Sequence, residues 1–197
     1  MPKVFENDIV YDWNPAHVLS KLHQKYPNPY ATHVHSVDTL ERTIDPETGI
    51  IRSERIVGVV QGAPGWITKL FHLPPTAYVR EVIFVDPSIP KATCMSVNLS
   101  LAQYVSCLEL ITYNPHPSPS NPSDPPPEPG HLGPLAVVPQ TIFNQRALIT
   151  SGFPTAMVAR RVEKASVDRF GKNAGLGKRG FDWVLNGGSD PKTASKR

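Results

Sequence analysis

The candidates for chemistry in this sequence begin with two histidines separated by one residue. His33 and His35 fall in a segment predicted to be a β-strand, where side chains two positions apart share a face. A metal site needs three or four ligands, and no third ligand follows at a convincing spacing. We therefore interpret the pair as polar strand positions, and we expect no metal ion and no cofactor.

The sequence motifs of common catalytic sites are missing from the chain. It contains no Gly-x-Ser-x-Gly, no His-Glu-x-x-His and no Cys-x-x-Cys. Residues 175–180, Gly-Leu-Gly-Lys-Arg-Gly, match the dinucleotide-binding pattern by letters, but that pattern must follow a buried strand and open a helix. Here it follows a helical segment, so we treat the match as accidental and expect no enzyme.

A short aromatic and basic stretch is more informative. Lys25-Tyr26-Pro27-Asn28-Pro29-Tyr30 ends a predicted helix, because each proline biases the preceding residue toward extended geometry. Lys25 stands at the helix C-terminus, where the helix dipole favours a cation. The stretch is either a rigid corner between helix and strand or, in addition, the rim of a binding site.

A second unusual stretch, residues 62–75, is bounded by glycine and proline and has a dense apolar centre. Its spacing predicts one short amphipathic helix. So much apolar surface in a loop must cover something or insert into something. We predict that this stretch forms a lid that hinges at its glycines. The residues of the lid are Gly62, Gly65, Trp66, Ile67, Leu70 and Phe71. The alternative is that Trp66 merely anchors the loop in the core.

The C-terminal part of the chain is basic. Residues 157–197 contain ten Lys or Arg and four acids, whereas the rest of the chain contains ten and thirteen. Such a segment can meet the phosphates of a membrane or a nucleic acid, or can be a solvated helix face. The candidates for membrane or phosphate contact are Arg169, Lys172, Lys178 and Arg179.

Length and composition are typical of one soluble globular domain, with 197 residues, 40% apolar and 19% charged. No apolar run is long enough to span a membrane. Residues 1–8 lack the apolar core of a secretory signal and the arginines of a mitochondrial presequence. The two cysteines, Cys94 and Cys107, cannot make a disulfide framework, and we expect free thiols.

Hydrophobic periodicity predicts one early helix, seven strands and a long final helix. The strands are predicted at 4–11, 33–44, 50–61, 78–85, 91–99, 104–113 and 141–150. Asn14 is predicted to cap the early helix, with Pro15 as its first residue, and the final helix spans 154–185 with a kink or a frayed turn near its glycines. This order predicts an α+β fold, in which a curved seven-stranded antiparallel sheet packs on the C-terminal helix and encloses a cavity.

Two segments are predicted to be disordered. Residues 114–139 hold ten of the 22 prolines and form an insert between two strands. Residues 187–197 form a polar tail. The folded domain is therefore predicted to comprise residues 1–186.

Two classes of function fit these features. The first is a lipid carrier whose cavity holds acyl chains under the lid, and the second is a basic adaptor that docks on membranes or nucleic acid. A carrier needs an apolar lid, whereas an adaptor has no use for one. The lid therefore favours the carrier.

Several short motifs follow one another in order over residues 1–186. They are Tyr26-Pro27-Asn28-Pro29-Tyr30 with His33-Val34, Gly62-Ala63-Pro64-Gly65-Trp66, Val79-Arg80-Glu81-Val82, and Arg169-Phe170 with Gly180-Phe181. In this combination the chain resembles the PRELI domain. The segments 61–67 and 112–117 are similar to the slowmo branch of that family.

The resemblance implies a lipid-transfer protein, not an enzyme, of the mitochondrial intermembrane space. Family members move acidic glycerophospholipids between the outer and inner membranes. It also implies a small helical partner with twin Cys-x9-Cys motifs, peripheral membrane contact and no nucleic-acid partner. Headgroup-binding bases are implied at Lys25, His33 and Arg55.

The chain departs from the phosphatidic acid branch of the family at several positions. Val59 and Gly62 stand where that branch has bases, and Gly175-Leu176 replaces a frequent Lys-Lys. Fewer bases favour phosphatidylserine, whose headgroup carries its own cation. Phosphatidic acid transfer for cardiolipin synthesis, or a membrane-docking adaptor that transfers nothing, remains the alternative.

Overall fold

The computed structural model describes residues 2–63, 65–70, 72–116 and 139–190. Several predictions fall outside this part of the chain. They concern Phe71, the side chain of Leu70, residues 117–138 of the Pro-rich insert and residues 191–197 of the tail.

Within the described residues, one sheet holds seven strands, and every neighbouring pair is antiparallel. The strands are β1 (Lys3–Tyr11), β2 (Val34–Ile44), β3 (Ile51–Val60), β4 (Thr76–Asp86), β5 (Lys91–Asn98), β6 (Val105–Pro115) and β7 (Thr141–Ser151). Their spatial order is β1-β7-β6-β5-β4-β3-β2, so consecutive strands are neighbours except that β1 pairs with β7. The predicted seven-stranded antiparallel sheet is confirmed, and β6 continues two residues beyond its predicted end at Tyr113.

Three α-helices accompany the sheet in the described part of the chain: α1 (Pro15–Lys21), α2 (Gly65–Leu70) and α3 (Ala156–Leu185). Asn14 caps α1, since its Oδ1 accepts a hydrogen bond from the Ala16 N–H at 2.8 Å. A 3₁₀ turn, Leu22–Gln24, follows α1 and ends just before Lys25. The Tyr26–Pro27 peptide bond after it is cis.

The last helix, α3, is continuous over 30 residues, so its glycines do not produce the frayed turn that was predicted as the alternative to a kink. Glycine propensity is a weak preference, and packing of a helix face against the sheet outweighs it. Phe170 contacts Phe5 of β1 with ring centroids 5.5 Å apart, and Gly180 lies against Asn28 of the corner. These contacts hold α3 to the rest of the fold on both sides of the glycine-rich stretch.

The last helix ends at Leu185, as predicted, and a turn follows it. Gly187 has a φ of +68°, a conformation that suits glycine, and its N–H donates to the Val184 carbonyl at 3.1 Å. The Tyr30 hydroxyl donates to the Asp190 carboxylate. Residues 187–190, predicted as the start of a disordered tail, therefore form an ordered turn.

Part of the hydrophobic core lies where the C-terminal end of α3 meets the sheet. Four aromatic side chains form a cluster there, with Tyr11 and Phe181 centroids 5.6 Å apart and Tyr113 and Phe143 centroids 5.2 Å apart. The rings meet at steep angles, which is the favoured edge-to-face arrangement. This cluster anchors one end of α3, and a cavity lies beneath the remainder of the helix.

No helix in the described ranges combines the length and apolar character needed to cross a membrane. The same residues bring together no group of three His, Cys, Asp or Glu side chains that could hold a metal ion.

Candidate functional site

A cavity of about 310 Å³ lies between the inner face of the sheet and α3. Its volume falls within the range of small-molecule sites, and most of its lining is apolar. The strands contribute inward-facing side chains such as Val57, Val79 and Ile111, because alternate residues of a strand face the same side. The α2 segment and the corner after α1 complete the wall.

Lys25 lies in the wall of this cavity, as predicted for the corner that follows α1. Its Nζ is 5.5 Å from the ring centroid of Tyr26 and 5.8 Å from that of Phe181. Aromatic faces stabilise a cation, but only modestly. Among the described residues no carboxylate forms an ion pair with Lys25. Burial opposes its charge, but the nearby tyrosines and the Glu81 carboxylate, which acts at longer range, keep its pKa raised.

His33 also lines the cavity, in the turn immediately before β2. The prediction that His33 and His35 share one face of a strand is wrong, because β2 begins only at Val34 and His35 is exposed. Burial lowers the pKa of its imidazole, and the positive charges of Arg169 and Lys25 lower it further. His33 therefore lies within electrostatic range of both cations. The structure brings Lys25, His33 and Arg169 together around one space.

Arg169 reaches the cavity from α3. Its Nη2 donates a hydrogen bond to the Val60 carbonyl at 2.7 Å, and burial lowers the pKa of its guanidinium. Gly62 lies against the same guanidinium. Arg169 was predicted as a membrane or phosphate contact, and the structure places it half-buried in the cavity wall, at the point where α3 meets the segment leading to α2.

The other three predicted phosphate contacts do not form one patch with Arg169. Lys178 lines the cavity, but its Nζ pairs with Asp182 at 2.6 Å and lies 5.3 Å from the Tyr11 ring centroid. Arg179 stacks over the Tyr30 ring, 4.7 Å from its centroid. Lys172 is exposed on α3. A role for these residues at a membrane remains a prediction.

Arg55 lies on the inner face of β3, and only 3% of its surface is exposed. It does not line the cavity itself. Its Nε forms an ion pair with Glu81 of β4, which does line the cavity. The predicted role of Arg55 in headgroup binding stays a prediction, since its charge is already matched by a neighbour.

The predicted lid is helix α2 with the segment before it. Ile67 is 2% exposed and lines the cavity, whereas the adjacent Trp66 is 45% exposed. The two side chains therefore point to opposite environments, and Trp66 is not buried in the core. Gly62 belongs to the cavity wall, while Gly65 has open space around it.

A polar row along the cavity floor was missed from the sequence. The Asn7 side-chain amide donates to Gln145 Oε1 at 3.1 Å, and Gln145 Nε2 donates to Glu109 Oε1 at 2.5 Å. The other oxygen of Glu109 accepts from Ser96 Oγ at 2.7 Å. The signal was present, because Glu109 and Gln145 each lie between two apolar residues on the inward face of their strands, and Ser96 follows the inward Cys94.

Comparison with protein families matches residues 16–124 to the sequence model of the PRELI-like family. The chain is 34% identical to UPS-like protein C36.10 of Schizosaccharomyces pombe, over 93% of this chain and 89% of the relative. It is 34% identical to Protein UPS2, mitochondrial, of Saccharomyces cerevisiae, over 93% of this chain and 72% of that protein. It is 28% identical to Protein slowmo homolog of Dictyostelium discoideum, over 85% and 63% of the two chains.

Solved structures share the fold at low sequence identity. The crystal structure of TTHA0849 from Thermus thermophilus superposes with a TM-score of 0.54 at 10% identity, covering 95% of this chain and all of the other. The crystal structure of Ara h 8.0201 gives a TM-score of 0.51 at 12% identity, covering 94% and 99% of the two chains. These similarities support the α+β architecture alone.

Proposed function

The chain belongs to the PRELI-like family, and on that premise we propose that it carries acidic glycerophospholipid, phosphatidylserine above others, between the outer and inner mitochondrial membranes. Family membership supports a role related to lipid transfer at mitochondria, since the similar yeast protein UPS2 is mitochondrial by name. We propose the intermembrane space as the compartment, because a carrier between the two membranes must work there.

The single observation that carries this proposal is the cavity with an unpaired cation in its wall. An apolar space of about 310 Å³ under α3 fits part of an acyl chain. A buried cation without a counter-ion is costly, and an anionic phosphate would complete it. Lys25, with His33 and Arg169 near it, supplies that anion-binding end.

Carrier function, without chemical turnover, is the activity these features support. Several polar groups of the cavity, among them Asn7, Gln145 and Glu109, are held by hydrogen bonds to one another, as in a binding site. The apolar Ile67 of α2 closes the cavity, and the exposed Trp66 beside it can enter a membrane interface.

The test is lipid analysis followed by a transfer assay. Mass spectrometry of lipid that co-purifies with the protein should find acidic glycerophospholipid, and the protein should move it between donor and acceptor vesicles. The variant Lys25→Gln should lower transfer about tenfold or more, because it removes the unpaired cation. Lys21→Gln, which makes the same charge change on α1 away from the cavity, is the control.

Two results would contradict this function. One is the absence of bound phospholipid together with no transfer by the wild-type protein. The other is equal transfer by Lys25→Gln and wild type, which would show that the cation does not meet the headgroup. If the protein prefers phosphatidic acid to phosphatidylserine, the result supports a lipid carrier whose main substrate is phosphatidic acid.

We further propose that the chain binds a small helical partner with twin Cys-x9-Cys motifs. The outer face of the sheet supports this with exposed apolar side chains on neighbouring strands. Val4, Leu148 and Leu108 are opposite one another across β1, β7 and β6, and Met95 is opposite Leu110 across β5 and β6. Leu108→Ser should weaken co-purification of the partner and leave lipid transfer by the purified complex intact. Unchanged partner binding by Leu108→Ser would show that the partner does not bind the outer face of the sheet.

A further inference from the structure

The cavity contains charges of both signs, and they are unequally matched. Among the charged side chains that line it, Glu81 is paired with Arg55 and Lys178 is paired with Asp182. Within the described residues, the lining groups that have no ion-pair partner are Lys25, Arg169 and Glu109, with His33 beside them as a weak base. The unmatched set is therefore two cations and one anion.

The position of Glu109 is fixed by the register of the sheet. Arg55, Glu81, Ser96 and Glu109 are direct neighbours across β3, β4, β5 and β6. Glu81 and Glu109 are thus separated by one strand, or about 10 Å at ordinary strand spacing. Arg55 pairs with the nearer carboxylate and leaves the farther one without a cation.

The carboxylate of Glu109 is oriented by donors on both of its oxygens. Gln145 Nε2 donates to Oε1, and Ser96 Oγ donates to Oε2. The amide of Gln145 cannot turn away, because its own oxygen accepts from Asn7. A carboxylate offers about four acceptor positions, so roughly two remain for a ligand in the cavity.

Glu109 and the cations act on the same part of the cavity. Burial, and after it the Glu109 carboxylate, raise the pKa of the Cys107 thiol to about 11, while the Arg169 guanidinium lowers it. Cys107 lines the cavity, and the charges of Glu109 and Arg169 both act on its thiol. Lys25 lines the same cavity, so one ligand headgroup can meet the anion and the cations together.

We infer that Glu109, held by Ser96 and Gln145, binds the ammonium group of an amine-bearing acidic phospholipid. This inference rests on the proposed function and assigns a residue to its headgroup selectivity. A phosphoserine headgroup carries two negative charges and one positive charge, which complement two unmatched cations and one unmatched anion. Phosphatidylglycerol has the phosphodiester but no ammonium, and it leaves Glu109 without a partner.

The experiment compares transfer of phosphatidylserine and phosphatidylglycerol from phosphatidylcholine vesicles, by wild type and by Glu109→Gln. We expect wild type to prefer phosphatidylserine, and Glu109→Gln to lose about tenfold of that preference while transferring phosphatidylglycerol at least as fast. Glu109→Asp should restore part of the preference, since it keeps the carboxylate. Glu47→Gln, an exposed change in the β2–β3 turn with the same net charge effect, should behave as wild type.

The possible failures are separable. If wild type transfers neither lipid, the proposed function fails and this inference fails with it. If wild type prefers phosphatidylserine and Glu109→Gln keeps the same ratio, only the inference is overturned. A third outcome would also overturn the inference. In it, Glu109→Gln transfers both lipids equally slowly and melts at a lower temperature, and Glu109→Asp restores both transfer rates but not their ratio. Glu109 would then stabilise the fold without selecting the headgroup.

Discussion

Gly62 lies directly against the guanidinium group of Arg169, so closely that a side chain at position 62 would occupy the same space. The same guanidinium donates to the carbonyl of Val60, two residues earlier. Arg169 thereby ties the beginning of the α2 segment to α3. The absence of a side chain at Gly62 is what allows this connection.

The first prediction concerns that connection. Gly62→Ala should displace the Arg169 side chain, break its hydrogen bond to Val60 and loosen the α2 segment, at a cost of about 1 kcal/mol in stability. Amide hydrogen exchange in α2 should become faster. Gly65→Ala is the matched control, because open space surrounds Gly65. Equal exchange in both variants would show that Arg169 does not hold the segment.

The second prediction concerns the contact between α3 and the corner. A Cβ atom at Gly180 would lie 2.8 Å from Asn28 Cγ, and Asn28 Oδ1 accepts hydrogen bonds from the Tyr30 and Ala31 N–H groups. Gly180→Ala should therefore destabilise the protein by about 1–3 kcal/mol through overpacking. Gly175→Ala, in open space on the same helix, should stabilise it by up to about 1 kcal/mol. Chemical denaturation of both variants measures the difference.

The contrast between these two glycines shows where sequence reasoning ends. Both carry the same intrinsic cost in a helix, which led to the prediction of a kink or a frayed turn, and α3 has no frayed turn at either glycine. Only the tertiary contact with Asn28 distinguishes Gly180 from Gly175. The sheet was predictable because strand alternation and proline positions are local signals.

The residues of the candidate site also differ in how far the sequence alone predicts their positions and partners. The position of Lys25 at the end of the helix was predictable, because the prolines at positions 27 and 29 prevent the helix from continuing. The pairing of Arg55 with Glu81 depends on the register between β3 and β4, which brings together residues far apart in the chain. The polar row from Asn7 to Ser96 joins β1, β7, β6 and β5. Strand alternation indicates which face of the sheet its members occupy, but it does not indicate which residues they bind.

The third prediction concerns pH. Burial, Arg169 and Lys25 lower the pKa of His33, so the folded protein binds a proton at this site less readily than the unfolded chain does. Stability due to His33 is therefore present above the unfolded pKa of about 6.5 and is lost as pH falls toward the lower folded value. His33→Gln should reduce this loss between about pH 7 and pH 5, as measured by denaturant midpoints.

The control for the pH prediction is His35→Gln, which changes an exposed histidine two residues away. His23 also has a lowered pKa, chiefly because of burial, so part of the slope should remain in His33→Gln. A pH profile identical to that of wild type would show that the charges around His33 do not oppose its protonation.

The last prediction concerns how the protein meets a membrane. Trp66 is 45% exposed while its neighbour Ile67 is 2% exposed, so α2 presents one large apolar side chain outward and another to the cavity. Tryptophan favours the membrane interface, and burying a side chain of this kind is worth about 1.5–3 kcal/mol. Trp66→Ser should thus lower vesicle binding and lipid transfer roughly tenfold with little change in melting temperature.

Ile67→Ser should instead lower the melting temperature, because it places a hydroxyl in an apolar wall. Vesicle co-sedimentation and thermal unfolding of the two variants separate these effects. Undiminished transfer by Trp66→Ser, or unfolding of that variant, would contradict a role for α2 in docking, and the basic residues of α3 would then be the surface to test.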